Sequence, residues 1–241
     1  MTPLMRFEAL DTADSVAQKA AAIIAEEARS AVAERGRFAL AVSGGHTPWL
    51  MLRALATADV PWSAIQIVQV DERVAPAGHP DRNLTHLRES LLDHAPLSGG
   101  QIHAMPVESA DLETAARQYA RKLEQIAGSP SVLDFVHLGL GPDGHTASLV
   151  PGDPVLDIED TDVAVTGVYQ GRRRMTLTYP IINRSRRVLF VVTGSEKAPM
   201  LPRLLDGDES IPAGRVSHER ALLIADSAAA AMLVAKSKGR G

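Results

Sequence analysis

The sequence predicts an α/β protein with a mostly parallel sheet and helices on both faces of that sheet. Short apolar runs alternate along the chain with segments of three- and four-residue apolar periodicity, the order of strands and helices in such folds. Several runs are apolar at every position, as expected of parallel strands buried on both faces. The 241 residues contain no linker or fixed-period repeat, so residues 1–241 are predicted to form one domain.

The elements of the first half are bounded by glycine or proline. Residues 11–35 have helical apolar spacing that stops at Gly36, and residues 38–42 form a continuous apolar run, typical of a buried strand. The following segments are then predicted in order: a helix over 48–58, a strand over 65–70, and helices over 84–92 and 112–126.

The second half continues the alternation of strands and helices. The remaining predicted elements are strands over 134–138, 163–168, 175–178 and 188–192, a helix over 195–205, a strand over 221–224 and an Ala-rich C-terminal helix. In open α/β sheets, ligands bind at the carboxyl ends of the strands. Functional residues are therefore expected in the loops that follow the strands.

Composition excludes several functional classes. The chain has 25 Lys and Arg against 29 Asp and Glu, a net charge of −4, so neither nucleic acid nor an anionic membrane is an expected partner. The absence of cysteine rules out a disulfide framework, a thiolate nucleophile and Cys-ligated zinc, and agrees with a cytoplasmic location. The longest apolar run, at 228–235, has eight residues, so no signal peptide or membrane span is expected.

The segment Val-Ser-Gly-Gly-His-Thr-Pro at 42–48 is a candidate anion-binding loop between a strand and a helix. Its glycines let backbone N–H groups approach an anion, Thr47 could cap the helix, and Pro48 suits the first turn. A tight, well-capped turn without a ligand is the alternative, and the loop lacks the Gly-Lys-Ser/Thr of a nucleotide P-loop. The candidate phosphate-binding residues here are Ser43, Gly44, Gly45 and Thr47.

Three charged residues, Asp71, Glu72 and Arg73, end the predicted strand over 65–70. Alternate side chains of a strand share a face, so Asp71 and Arg73 are expected on the same side, where a carboxylate and a guanidinium could meet a ligand. A solvated loop is the alternative, and on this motif alone it is favoured.

The glycine-rich segment 139–146 follows the predicted strand over 134–138. Its glycines match the spacing of dinucleotide-binding folds, but prolines at 151 and 154 leave no room for the helix that this motif requires, so NAD(P) is rejected. The remaining interpretation is a tight turn, with Gly141 and Gly144, that presents Asp143 and His145 as an acid–base unit. The other seven histidines are given no role.

Basic residues form a local cluster in this acidic chain. Lys197 stands in the first turn of the predicted helix over 195–205, where a cation opposes the helix dipole, which suggests a functional reason for it. One or two of six clustered arginines are expected to reach a site, the rest being solvated: Arg172, Arg173, Arg174, Arg184, Arg186 and Arg187.

Motifs for other chemistry are missing from the sequence. There is no G-x-S-x-G segment of a serine hydrolase, and His218-Glu219 lacks the second histidine of H-E-x-x-H. We therefore expect chemistry without a metal ion or cofactor.

Taken together, five segments resemble the 6-phosphogluconolactonase family, and they run in order over most of the chain: VSGGHTP at 42–48, VDERVAP at 70–76, LGLGPDGHTASLVPG at 138–152, RMTLTYPIIN at 174–183 and VVTGSEKAPML at 191–201. Glucosamine-6-phosphate deaminases share several of these motifs, but after the histidine they carry a glutamate used in ring opening. Residues 146–151 contain no acid, which favours the lactonase. Two departures from the lactonase pattern are Val150, usually Phe, and Asn83-Leu84, commonly Ser-Asn.

The resemblance implies a Rossmann-like three-layer sandwich of the glucosamine-6-phosphate deaminase and ribose-phosphate isomerase type. It implies hydrolysis of 6-phospho-D-glucono-1,5-lactone to 6-phosphogluconate in the pentose phosphate pathway, by an enzyme that is a monomer or a homodimer. A deaminase or isomerase, or a non-catalytic sugar-phosphate-binding module, is the alternative. Carried over by position, His145 activates water, Asp71 holds Arg73 or the sugar hydroxyls, and the developing oxyanion is met by Arg73 or by backbone N–H groups of the glycine-rich turns. The 6-phosphate is held by the 43–47 loop, Arg174 and Lys197.

Overall fold

A seven-stranded parallel sheet forms the centre of this computed structural model, which describes residues 5–233. The described strands are β1 (Arg6–Leu10), β2 (Phe38–Val42), β3 (Ile65–Gln69), β4 (Asp71–Arg73), β5 (Ile102–His103), β6 (Phe135–Leu138), β7 (Val163–Val165), β8 (Arg174–Leu177), β9 (Val188–Val192) and β10 (Ala221–Asp226). The large sheet has the order β1-β10-β9-β6-β2-β3-β5, and all its neighbouring strands are parallel.

Helices cover both faces of the large sheet, as the sequence predicts. The described α-helices are α1 (Ala13–Arg35), α2 (His46–Ala56), α3 (Asn83–Leu87), α4 (Leu112–Ala127), α5 (Tyr179–Arg184) and α6 (Leu201–Leu205). Helices α1, α2 and α3 bury apolar residues on one face, whereas α4, α5 and α6 pack on the other. The sheet between two such layers makes a three-layer α/β sandwich, which confirms the predicted fold class.

Strand β2 shows why a continuous apolar run becomes a central strand. Phe38 and Leu40 belong to the core under α1 and α2, while Ala39 and Ala41 belong to the core on the opposite face. Successive side chains of a strand point to opposite faces. Because helices cover both faces of the sheet, every position of β2 is buried.

A second, three-stranded antiparallel sheet was not predicted and lies over the α4 side of the molecule. Its order is β4-β8-β7. Val70 joins the two sheets, because its N–H donates to the Val42 carbonyl (2.9 Å) and its carbonyl accepts from the Leu177 N–H (2.8 Å). The chain therefore leaves the large sheet at Val70 and enters the small one at Asp71, which brings β4 and β8 to the carboxyl edge of the large sheet.

Several predicted boundaries are wrong. The predicted strand over 65–70 ends at Gln69, because the charged triplet that follows pairs with β8 as strand β4. The predicted helix over 84–92 is α3 followed by a π-helical turn over Arg88–Leu92. The predicted helix over 195–205 is instead two elements, a 3-10 turn over Ser195–Lys197 and the short helix α6. Pro202 lies in the first turn of α6, a position that suits proline because no N–H donor is needed there.

Two edge strands, β1 and β5, were missed. Strand β1 is largely exposed and β5 has only two residues, so neither produces an apolar run. The range predicted for the Ala-rich C-terminal helix includes residues after 233, and that part lies outside the described residues. Within residues 5–233, no helix is both long enough and apolar enough to cross a bilayer.

Candidate active site

A cleft of about 400 Å³ lies where the carboxyl ends of β2, β6 and β9 meet the small sheet. Ten of the twelve predicted site residues line this cleft: Ser43, Gly44, Gly45, Thr47, Asp71, Arg73, Gly141, His145, Arg174 and Lys197. The other two, Asp143 and Gly144, belong to the turn that carries His145. Segments far apart in sequence thus converge because parallel strands end at one edge of the sheet.

The turn after β6 holds His145 in one orientation. The Gly141 N–H donates to the His145 carbonyl (2.7 Å), and the Gly144 N–H donates to the Gly141 carbonyl (3.0 Å). Glycine is required twice: Gly144 has a φ of +85°, and a Cβ on Gly141 would lie 2.0 Å from His145 Nδ1. The turn therefore presses closely against the imidazole and limits where it can lie.

Asp143 binds the imidazole directly. Its Oδ1 lies 2.5 Å from His145 Nδ1 and accepts the His145 backbone N–H at 3.2 Å. A carboxylate at this position favours the tautomer with its proton on Nδ1, which leaves the Nε2 lone pair available to accept a proton. The arrangement is that of a carboxylate-oriented general base.

The second oxygen of Asp143 accepts a hydrogen bond from the Tyr169 hydroxyl at 2.8 Å. Burial by itself would raise the pKa of Asp143, but the hydrogen bonds from His145 and Tyr169 outweigh it and hold this pKa below its usual value. Asp143 is consequently a carboxylate throughout the neutral range, as an orienting partner must be. Tyr169 was not predicted from the sequence.

Asp71 and Arg73 both line the cleft, while Glu72 between them points away from it. The predicted direct pairing of Asp71 with Arg73 is replaced by a bridge through Asn83. Arg73 Nη1 donates to Asn83 Oδ1 (2.6 Å), and Asn83 Nδ2 donates to Asp71 Oδ1 (3.3 Å). The other oxygen of Asp71 accepts from the Ser148 hydroxyl at 2.7 Å. No role was expected of Asn83 from the sequence.

Glu72 is fully buried and organises the segment that carries Asn83. Its carboxylate accepts the backbone N–H groups of Arg73, Asn83 and Leu84, each at 2.8 Å, which satisfies two unpaired amides at the start of α3. Arg82 Nε lies 3.1 Å from the same carboxylate. Glu72 therefore links β4 to α3 and fixes the backbone on which Arg73 and Asn83 stand.

The candidate anion-binding loop over residues 43–47 differs from the prediction at its helix end. Gly45, not Thr47, is the N-cap of α2, and the Thr47 hydroxyl instead hydrogen bonds to that of Thr193 after β9. Below the loop, the Ser43 N–H donates to His137 Nδ1 at 3.3 Å. Burial lowers the pKa of His137 to about 3, so the imidazole stays neutral and keeps its acceptor. His137, given no role from sequence, thus supports the loop.

Of the six clustered arginines, only Arg174 lines the main cleft. The other five each lie close to a carboxylate: Arg172 to Asp81, Arg173 to Glu113, Arg184 to Asp162, Arg186 to Asp134 and Arg187 to Glu27. Arg174 donates instead to the uncharged Gln170 Oε1 at 3.0 Å, as Arg73 donates to Asn83. Because these acceptors are neutral, neither arginine has its charge compensated by a carboxylate hydrogen-bond partner.

Lys197 also lines the cleft, and its Nζ lies 3.8 Å from the carboxylate of Glu196. Its predicted conflict with a helix dipole disappears, because Ser195–Lys197 is a three-residue 3-10 turn and not the start of a long helix. The cleft is therefore lined by three cations, Arg73, Arg174 and Lys197.

Backbone N–H groups in the glycine-rich turns were predicted as an alternative to Arg73 for binding a developing oxyanion. The N–H groups of Gly141 and Gly144 are used inside the turn, and the Gly194 N–H donates to Asp226. These three N–H groups are therefore already occupied, whereas Arg73 lines the cleft with its guanidinium. Within the part of the chain that the structure describes, no three His, Cys, Asp or Glu side chains form a candidate metal site.

The fold and this cleft define a class of protein: an α/β sandwich with a cleft at its strand ends that is lined by cations and by a histidine paired with a carboxylate. Residues 11–224 match the family model described as glucosamine-6-phosphate isomerases/6-phosphogluconolactonase, and the chain belongs to this family.

Named relatives and a solved structure are similar over much of the chain. A 6-phosphogluconolactonase of Synechocystis sp. (strain PCC 6803) is 41% identical over 161 residues, 65% of this chain and 67% of that protein. One of Streptomyces coelicolor is 35% identical over 239 residues, 90% of each chain. The structure of the 6-phosphogluconolactonase from Trypanosoma cruzi superimposes with a TM-score of 0.86 at 24% identity, over 97% of this chain and 98% of that one, and supports the fold.

Proposed function

We propose that this chain is a 6-phosphogluconolactonase, which hydrolyses 6-phospho-D-glucono-1,5-lactone to 6-phosphogluconate in the pentose phosphate pathway. One observation carries the proposal: His145, oriented by Asp143 at 2.5 Å, lines the same cleft as three cations, two of which hydrogen bond only neutral acceptors. A base and an anion site in one cleft suit a phosphorylated substrate attacked by water. The relatives named as 6-phosphogluconolactonases support the same activity.

The proposed reaction needs only this chain and water. His145 Nε2 takes a proton from a water molecule while the water oxygen attacks C1 of the lactone. The carbonyl oxygen becomes negatively charged and is stabilised by the Arg73 guanidinium. The bond between C1 and the ring oxygen then breaks, and His145 returns its proton to that oxygen, which becomes the C5 hydroxyl. Asp71 accepts hydrogen bonds from the sugar hydroxyls.

The 6-phosphate is bound by Arg174, Lys197 and the loop over residues 43–47. None of these groups is the proposed base, so they can hold the substrate while His145 acts at the reacting carbon. Such remote binding energy positions the lactone for attack.

The deaminase alternative fits the residues after His145 less well. Ring opening of an amino sugar needs an acid there, but Thr146 donates to the Gly139 carbonyl (2.8 Å) and Ser148 donates to Asp71 (2.7 Å), and neither is acidic. The two activities differ in their products. We expect acid release from freshly prepared 6-phosphogluconolactone above the spontaneous rate, and no ammonia release from glucosamine 6-phosphate. Ammonia release would favour the deaminase, and neither product would favour a non-catalytic binding module.

Replacing Lys197 with alanine is expected to weaken substrate binding by about 1.5–3 kcal/mol, because one charge-assisted hydrogen bond to the phosphate is lost. The measurement is KM and kcat on the phosphorylated lactone, beside kcat/KM on glucono-1,5-lactone. The variant should discriminate less between the two lactones than the wild type does.

The control for this experiment is Lys19→Ala, which removes the same charge at an exposed ion pair with Glu8 (3.4 Å) on the edge of the sheet. It should leave both lactones unaffected. Equal efficiency of the wild type on the two lactones would contradict the assignment of a phosphate site.

The cellular setting and assembly are also proposals. We propose that residues 1–241 act as one domain in the cytoplasm, on a small-molecule lactone and without a nucleic acid or membrane partner, as a monomer or a homodimer. The cysteine-free composition and the net charge of −4 support the setting.

A further inference from the structure

The turn between β7 and β8 contacts three residues of the active site: Asp143, His145 and Arg174. Tyr169 and Arg172 exchange backbone hydrogen bonds of 3.0 and 3.3 Å, and the two residues between them, Gln170 and Gly171, have φ values of +51° and +79°. Two central residues with positive φ make the two-residue hairpin turn that matches the twist of antiparallel strands. The turn therefore holds Tyr169 and Gln170 at defined positions.

Tyr169 contacts the Asp143–His145 pair and also Arg174. Its hydroxyl donates to Asp143 Oδ2 (2.8 Å) and lies 3.5 Å from His145 Nδ1, and its ring meets the imidazole edge-on at 5.5 Å between centroids. The Arg174 guanidinium carbon lies 4.8 Å from the centre of the same ring. One side chain thus touches the acid–base pair and a cation of the proposed phosphate site.

We propose that Tyr169 is a positioning residue that acts through two separable parts: its hydroxyl orients Asp143 and thereby His145, and its ring, with Gln170, holds Arg174. This inference rests on the proposed lactonase function and extends it to the β7–β8 turn.

The hydroxyl completes the restraint on the Asp143 carboxylate. Oδ1 binds His145 and Oδ2 binds Tyr169, so both oxygens are occupied and the carboxylate cannot rotate without losing one of them. The terminal torsion of aspartate is intrinsically broad, which makes a second partner effective. Without the hydroxyl, the carboxylate would sample orientations in which the imidazole is no longer directed at the reacting carbon.

The ring and Gln170 hold Arg174 without cancelling its charge. A carboxylate partner, such as those of the neighbouring Arg172 and Arg173, would fix a guanidinium but neutralise it. The aromatic face and the amide oxygen of Gln170 are uncharged, and Arg174 is only 4% exposed, so the cation is fixed and still able to bind an anion. The turn therefore fixes Arg174, the one clustered arginine that lines the cleft, without a carboxylate partner.

The two parts are tested with different substitutions in the full chain. Tyr169→Phe keeps the ring and removes the hydroxyl, so kcat on 6-phosphogluconolactone should fall about tenfold with KM within about twofold. Gln170→Gly keeps the positive φ and removes the amide acceptor, so KM should rise by about three- to tenfold with little change in kcat. Tyr169→Leu should change both parameters. The control is Val168→Ala, an exposed residue of the same turn, which should change neither.

A purely structural role for the turn predicts a different result. In that case, Tyr169→Phe and Gln170→Gly would each lower the melting temperature and the active fraction, but Tyr169→Phe would not act selectively on kcat and Gln170→Gly would not act selectively on KM. That result would overturn the inference, as would Tyr169→Phe with both parameters unchanged. His145→Ala is measured in parallel: if it also has normal turnover, the proposed catalytic site itself has failed. If only Tyr169→Phe is normal, the proposed function stands and the role of the turn does not.

Discussion

Replacing His145 with alanine is expected to lower kcat on 6-phosphogluconolactone by about 10²–10⁴, the usual contribution of a positioned acid–base group. The variant has no group at Nε2 to take the proton from water or return it to the ring oxygen. Substrate binding should change little, because Arg174 and Lys197 lie on other segments. The measurement is kcat corrected for the fraction of folded enzyme, with the spontaneous hydrolysis of the lactone subtracted.

A histidine outside the cleft provides the comparison for this variant. Asp143 stays ionised at neutral pH in the wild type, because hydrogen bonds from His145 and Tyr169 hold its pKa below the usual value. His94→Ala, at an exposed histidine whose Nε2 bonds to the Glu89 carbonyl, is the matched control. Near-normal turnover in His145→Ala would show that His145 is not the general base of this reaction.

Replacing Glu72 with alanine is expected to lower the free energy of unfolding by about 3–5 kcal/mol, the cost of breaking a buried ion pair from one side. The carboxylate is fully buried, 3.1 Å from Arg82 Nε. Its removal also leaves the amides of Asn83 and Leu84 without their acceptor. We expect kcat to fall as well, because Arg73 and Asn83 lose the backbone support that Glu72 provides.

The control for Glu72 is an exposed ion pair of the same type. Glu113 binds Arg173 at 2.6 Å with 57% of its side chain exposed, so Glu113→Ala should cost only about 0–1 kcal/mol. Urea unfolding of both variants measures the difference. Equal, small losses in the two would show that Glu72 is not the organiser of the β4–α3 segment.

Local signals were enough to predict the central elements of the fold. The strands over 38–42 and 188–192 were predicted with the bounds that the structure shows, because each is an apolar run with a clear end. Strand β4 was missed because its three residues are all charged and its partner β8 lies about 100 residues further along the chain. The spacing of apolar residues within a short stretch of sequence cannot predict pairing with so distant a strand.

The same distinction applies to the site. The contact between Asp143 and His145 lies within one glycine-rich turn and was anticipated as an acid–base unit, whereas Tyr169 reaches Asp143 from 26 residues away. Asn83 bridges β4 to α3 by side-chain contacts that no motif encodes. The sequence also left open which clustered arginine reaches the cleft, since that choice depends on which carboxylates the fold brings to the other five.

The proposed function requires that the cleft hold the sugar chain with C1 at His145 and the phosphate at Arg174 and Lys197. A crystal structure of the full chain with 6-phosphogluconate, the proposed product, shows where each end of the molecule binds. We predict the phosphate within hydrogen-bonding distance of Lys197, Arg174 and the 43–47 loop, and the C1 carboxylate beside His145 Nε2 and Arg73. A product bound in the reverse orientation, or outside the cleft, would contradict the account.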